Sequence, residues 1–266
     1  PGPGLLERVG IGIIKLDQSA GESIEFLGAL TVSFANLIRR TAHYRTSDLL
    51  EVVQQCGADA LGIVSLIGYL VGIILAFMGA VQLQQFGASI YVADLVGIGM
   101  VRDMGAMMTG IIMAGRTGAA FAARIGTMKV TQEIDALATM GISPIDFLVL
   151  PRVIALVLMM PLLCLYADLV GILGGATIGV GMLGVSLSTY LHQTVHAISL
   201  GGVAGGLFKG TVYGALIGYA GCLRGFQCGN SSSAVGDAAT AAVVTGIVMI
   251  VIACGLFAWL FNILGI

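Results

Sequence analysis

Five charged side chains stand inside long apolar stretches of this sequence: Arg102, Asp103, Arg116, Asp168 and Lys209. Charge is expensive in such a setting and persists where it pairs, holds helices in register or meets a polar substrate. Asp103 is expected to be the counter-ion of Lys209 or of Arg102. A cluster of Arg102, Asp103 and Lys209 either only fixes helix registry or lines a substrate passage, and the residue types fit both roles. Arg116 precedes Arg124 by about 12 Å of helix, so it can snorkel toward the same interface. Asp168 follows Arg152 by roughly 24 Å of helix, which puts the two at opposite ends of one apolar segment. Pro161 between them is expected to kink it.

The polar run from Gly126 to Gly141 carries a different signal. Thr131 is expected to cap a short helix, with Glu133 near its N-terminal dipole. Ile134, Leu137 and Met140 would form one apolar edge, and Gly141 the C-terminal stop. Ser143-Pro144 then opens another helix, with proline at its first position. A short amphipathic helix between two spans offers a soluble motor something to grip, although loops often carry such helices.

Catalytic signatures are absent. None of Lys15, Lys129 and Lys209 follows the glycines of a phosphate loop, so the chain is not expected to hydrolyse ATP or to be an enzyme. There is no H-E-x-x-H motif and no nucleophile elbow. His192 and His196 are four apart without an evident third ligand, so no metal is expected. Five scattered cysteines do not form a disulfide framework. The net charge of -2, with no basic run, excludes the electrostatic footprint of a nucleic-acid binder.

The elements that must position these residues follow from composition. Of 266 residues 58% are hydrophobic and 10% charged, against about a quarter charged in a soluble domain. The pattern predicts an all-α polytopic membrane protein with spans at about 61–83, 95–123, 147–178, 200–222 and 238–262. Residues 1–58 form an N-terminal interfacial region, and 59–266 the five-span domain. In the former, Ile24, Leu27, Leu30/Thr31, Phe34 and Leu37/Ile38 recur at helical spacing before Arg39-Arg40, as in a helix lying in the interface or packed on the bundle. A second short helix is expected over 46–55. Pro1-Gly2-Pro3-Gly4, without methionine, suggests that a segment precedes this start, and no secretory signal is visible. Basic residues gather before the first span (Arg39, Arg40, Arg45), between the second and third (Arg124, Lys129, Arg152) and after the fourth (Arg224). The loops at 84–94 and 179–199 have no Lys or Arg. The basic side is therefore assigned to the cytoplasm and the C-terminus to the opposite face. Gly202, Gly206, Gly210, Gly214 and Gly218, like Gly171, Gly175 and Gly179, form stripes along which a neighbouring backbone can approach closely.

Taken together, Arg102-Asp103-Met104-Gly105, Ala114-Gly115-Arg116-Thr117-Gly118-Ala119-Ala120, the run from Gly126 to Gly141 and Leu150-Pro151-Arg152 resemble the MlaE/YrbE family of ABC-transporter permeases. The likeness covers about residues 20 to 262. It implies an MlaE-type fold and a homodimer in the bacterial inner membrane that moves phospholipid between membranes. A separate cytoplasmic ATPase would hold ATP and Mg, this chain carrying no cofactor. The resemblance further implies a coupling helix at about 131–140 (Thr131, Glu133, Ile134, Asp135, Leu137, Met140) in a groove of that ATPase, an outer hexamer of MCE-domain subunits, and a STAS-domain protein as a further partner. Some relatives carry a STAS domain fused ahead of the permease, which fits the start seen here. A lipid cavity near the outer ends of the first, second and fifth spans makes Leu75, Met78, Gln82 and Leu83 candidates for its wall. Where relatives often carry an acidic residue late in the fifth span, this chain has Cys254; near Asp237 and Ala241 they often have basic residues. The rival reading is a non-transporting scaffold that anchors an outer lipid-shuttling ring. An ion-coupled carrier would need an internal repeat, and the sequence shows none.

Overall fold

The computed structural model describes the backbone of residues 5–38 and 46–264 and the side chains of 21–37 and 49–263. Pro1 to Gly4 and Arg39, Arg40 and Arg45 lie outside the described residues. The described residues form α-helices joined by short turns, without strands. Five stretches are long and apolar enough to cross a membrane: Leu49–Gln84, Ser89–Val130, Ile145–Gly181, Leu200–Phe226 and Ser232–Ile263. Each contains the span expected there and extends beyond it, because helix continues into the polar flanks where hydropathy alone stops. Hydrocarbon offers no partner for backbone N–H and C=O groups, so a segment of this length satisfies them internally as helix.

The N-terminal helix α1 (Leu5–Ile38) is followed by α2 (Thr46–Cys56) and α3 (Leu61–Gln84). Along α1 the inward stripe is Phe26, Leu30 and Ser33, with Phe34 beside it, while Ile24 and Leu27 are exposed. The apolar periodicity of α1 thus covers two faces. Aromatic partners decide between them: Phe26 packs on Tyr219 and Phe226, and the Tyr219 hydroxyl donates to the Ser23 carbonyl at 2.9 Å. Exposed Ile24, Leu27 and Val32 leave an apolar outer face, as suits a helix lying against lipid.

The second span comprises α4 (Val92–Gly99), α5 (Gly105–Met113) and α6 (Ala119–Val130), separated by single π-helical turns at Met100–Met104 and Ala114–Gly118. Next come the short α7 (Glu133–Thr139), a third π-turn at Ile145–Val149, α8 (Leu150–Gly181), α9 (Leu187–Ala197), α10 (Leu200–Phe226) and α11 (Ser232–Leu264). Pro161 lies inside α8 without ending it; it removes one ladder bond, and neighbouring helices hold the rest in place.

Helix α8 is the axis of the bundle, packed lengthwise against α3 and α10. Small residues permit this. A side chain at Gly72 would run into the Gly171 carbonyl, so these two backbones touch. On α10, Gly206 faces the Val101 carbonyl, Gly210 faces Cys164, Gly214 faces Leu156 and Gly218 faces Val153. Gly202 departs from the expected stripe: its N–H is capped by Ser199 Oγ at 3.0 Å, and it ends the row at the helix start. Gly175 and Gly179 seat the ring of Tyr190, projected from α9.

Candidate functional site

Lys209 projects from the middle of α10 and is 1% exposed. Its ammonium donates to Asp103 Oδ1 at 2.5 Å and to the Arg102 carbonyl at 2.9 Å, and lies 4.9 Å from the centre of the Phe261 ring. Of the two counter-ions open to Asp103 in the sequence, the structure pairs it with Lys209. The first π-turn makes the meeting possible: Gly105 N–H bonds to the Met100 carbonyl, five residues back, and the widened turn presents Asp103 and the Arg102 carbonyl to α10. Such turns recur at functional positions in helices. Two carbonyl and carboxylate acceptors and a ring face make burial of the ammonium tolerable. The side chain of Asp103 remains one-third exposed, so the pair is anchored on one side and accessible on the other. Arg102 lines an adjoining cavity of about 150 Å³ with Ile98, Val101, Ala197, Ile198, Ser199 and Gly202.

Asp168 is separate from that pair. It is 7% exposed, its Oδ1 has no hydrogen-bond partner among the described residues, and it abuts Gly105, where no side chain could be added. Thr109 Oγ1 and the Tyr213 hydroxyl are likewise buried, and neither makes a hydrogen bond among the described residues. No sequence signal distinguished these two from ordinary span residues.

The four candidate lipid contacts divide. Met78 and Gln82 are exposed, whereas Leu75 and Leu83 are half-buried against a cluster of Ala76, Ala80, Val92, Val96 and Met100. They therefore share a broad face of α3 whose margin is already occupied by α4.

At the basic end of the bundle, α7 differs from its expected form in two respects. Thr131 does not cap it: Thr131 terminates α6, with its hydroxyl 3.0 Å from the Thr127 carbonyl and 2.9 Å from Glu133 Oε1. The cap position belongs to Gln132, which turns the chain at φ 61°. Nor do Ile134, Leu137 and Met140 form one edge. Ile134 packs on the core, Leu137 is half-buried and Met140 is 65% exposed, since their spacing of three spreads them around a seven-residue helix. Glu133 and Asp135 are exposed in its first turn. The stop is as expected: Gly141 at φ 76° donates to the Ala138 carbonyl and Ile142 to that of Leu137, the paired bonds of a Schellman motif. Ser143 Oγ then accepts from Asp146 N–H at 3.4 Å, with Pro144 opening the next turn.

Three basic residues tie this end together. Lys129 donates to the Phe226 carbonyl at 2.6 Å, and Arg116 donates to the Gln55 carbonyl at 3.0 Å rather than reaching into bulk solvent. Arg152 is buried, donates to the Leu148 carbonyl and lies over the Phe121 ring at 5.7 Å. Arg116 and Arg152 thus act as bolts between elements, roles that their motif positions did not disclose. The His192 and His196 rings lie 4.6 Å apart, tilted by 46°, on the exposed face of α9, and among the described residues no group of three potential ligands forms.

Residues 49–260 match the family described as Permease MlaE. A probable ABC transporter permease protein of Rickettsia bellii is 35% identical over 258 residues, 97% of either chain. The intermembrane phospholipid transport system permease protein MlaE of Haemophilus influenzae is 29% identical over 197 residues, 74% of this chain and 76% of that one. The chloroplastic protein trigalactosyldiacylglycerol 1 of Arabidopsis thaliana is 30% identical over 217 residues, 82% and 61% of the two chains.

Proposed function

The chain belongs to the MlaE permease family, a multi-pass membrane subunit of an ABC transporter, and from that premise we propose that it moves phospholipid between the inner and outer membranes of a bacterial cell. The family implies an ATPase partner, which in this reading holds ATP and Mg on the cytoplasmic face. The observation that carries the proposal is the build of α7: an exposed acidic first turn, a locked glycine stop and a half-buried Ile134 packed on the core. A push on α7 is passed directly to α6 and α8, because the connections on both sides are tight turns.

In this reading the permease is a homodimer in the inner membrane, with the C-terminus in the periplasm facing an MCE-domain hexamer and a STAS-domain protein on the ATPase. Acyl chains slide along the apolar faces of α3 and α11 near Met78 and Gln82, while the Asp103–Lys209 pair keeps the outer half of the bundle closed around α10. The name of the Haemophilus relative supports phospholipid as cargo.

The test is a pair of variants, Glu133→Lys and Leu137→Asp, purified with the partner ATPase. The expected result is loss of ATPase association and of lipid movement, with the permease itself still monodisperse and as thermally stable as the wild type. Unchanged transport would overturn the coupling role. Transport lost while the ATPase stays bound would favour a scaffold.

A further inference from the structure

A second polar cavity, remote from the Asp103–Lys209 pair, opens at the basic end of the bundle. Its volume is about 240 Å³, and it is enclosed by Glu51 and Val52 of α2, Arg124 of α6, Phe147 and Leu148 of the third π-turn, and Pro151 and Arg152 of α8. Two arginines from different spans line one space, whose wall is completed by the Glu51 carboxylate and the apolar Val52, Phe147, Leu148 and Pro151. Arg152 is fixed by its bond to the Leu148 carbonyl and by the Phe121 ring. Arg124 is held only loosely, 3.8 Å from Glu51 Oε1, with both side chains more than half exposed. That oxygen also accepts from Gln55 at 2.9 Å, so Glu51 keeps a partner if Arg124 leaves it.

We propose that this cavity binds the phosphate group of an anionic phospholipid from the leaflet at the basic face, with Arg124 exchanging Glu51 for the phosphate. Arginine suits the role because its planar fork meets phosphate oxygens with two parallel bonds. Val52, Phe147, Leu148 and Pro151 suit the glycerol and the first methylenes of the acyl chains, which a free phosphate lacks. The position at the ends of the second and third spans places the cavity at headgroup depth, where basic side chains attract anionic lipid. The proposal does not depend on phospholipid being the cargo, since a bound annular lipid needs no transport.

Native mass spectrometry of the complete transporter, released from nanodiscs of phosphatidylethanolamine with phosphatidylglycerol, reads the site directly. Arg124→Gln is expected to lower phosphatidylglycerol retention about tenfold, the loss of one charge-assisted bond. Arg124 is exposed enough for the variant to fold. Glu51→Gln is expected to raise retention, because it removes the carboxylate that competes for Arg124. A purely structural Glu51–Arg124 pair predicts the opposite, with Glu51→Gln behaving like Arg124→Gln, and that result would overturn the proposal. Displacement of the lipid by millimolar inorganic phosphate would also overturn it, by showing that the cavity takes free anion. Retention unaffected by either variant would do the same. ATPase association and lipid transport, measured on the same samples, report separately on the function proposed above.

Discussion

The third and fifth spans have nearly the same mean hydropathy, 2.5 and 2.6, yet 61% of the apolar window is buried in the third and 17% in the fifth. Lipid and protein interior are equally apolar, so hydropathy cannot tell a helix at the axis from one at the rim. What differs is what the small residues meet: Gly171, Gly174 and Gly175 of α8 lie against neighbouring helices, whereas Gly236 and Gly255 of α11 face open space. Helix α8 contributes Ala155, Ala167, Gly171, Gly174 and Gly175 to its contacts, while α11 turns Val248, Val251, Ile252, Leu256 and Trp259 outward. Small residues allow backbones to touch, and large ones left outside face hydrocarbon or a partner.

Substitutions that add or remove volume against the axis and at the rim should separate them. The largest effect is expected at the axis, where Gly72→Val forces α3 off the Gly171 carbonyl. A loss of about 3 kcal/mol or more, read as failure to purify a monodisperse protein, would support the axis, and normal yield would break the comparison. Next comes the charged tie between the axis-facing α10 and the second span. Lys209→Met leaves Asp103 without its counter-ion and should cost about 2–3 kcal/mol. The double variant Lys209→Met/Asp103→Leu should recover most of it, as a thermal unfolding series would show.

A smaller effect is expected where α9 clasps the end of α8. Burial against Gly175 and Gly179 pushes the Tyr190 hydroxyl up to about 12 from its ordinary value near 10. The folded state then holds this proton more tightly than the unfolded chain. Its contribution is complete below pH 10 and is lost as pH rises through 12. Between pH 9 and 11 the wild type should lose about 1 kcal/mol more than Tyr190→Phe, and equal losses would show that the ring is not seated as described. The smallest effect belongs to the rim. Val251→Leu should change the stability of the chain by less than about 0.5 kcal/mol. Reduced lipid transport at unchanged stability would assign that face to cargo or to a partner copy.

The two candidate sites differ in how far they could be read beforehand. Asp103 and Lys209 were legible because a charge in an apolar run has few affordable fates, and helical rise places both in the same half of the bundle. The choice between Lys209 and Arg102 was not, since it depends on a π-turn that rotates Asp103 toward α10. In the loop, Gly141 and Ser143 kept their expected roles because turn chemistry is local. Thr131 did not, because the helix runs about two turns past the expected span end at 123 and takes Thr131 as its own end.

Segment length and composition by themselves determined that the chain is a helical membrane protein with five spans. Hydrocarbon forces each backbone to satisfy its own hydrogen bonds, so apolar run length converts directly into helix number. Only the tertiary structure decided which helix is the axis, which face of α1 turns inward, and that Arg116 and Arg152 bolt the basic end together. Those choices rest on the fit of small residues, rings and carbonyls from distant parts of the chain, and no single segment contains that information.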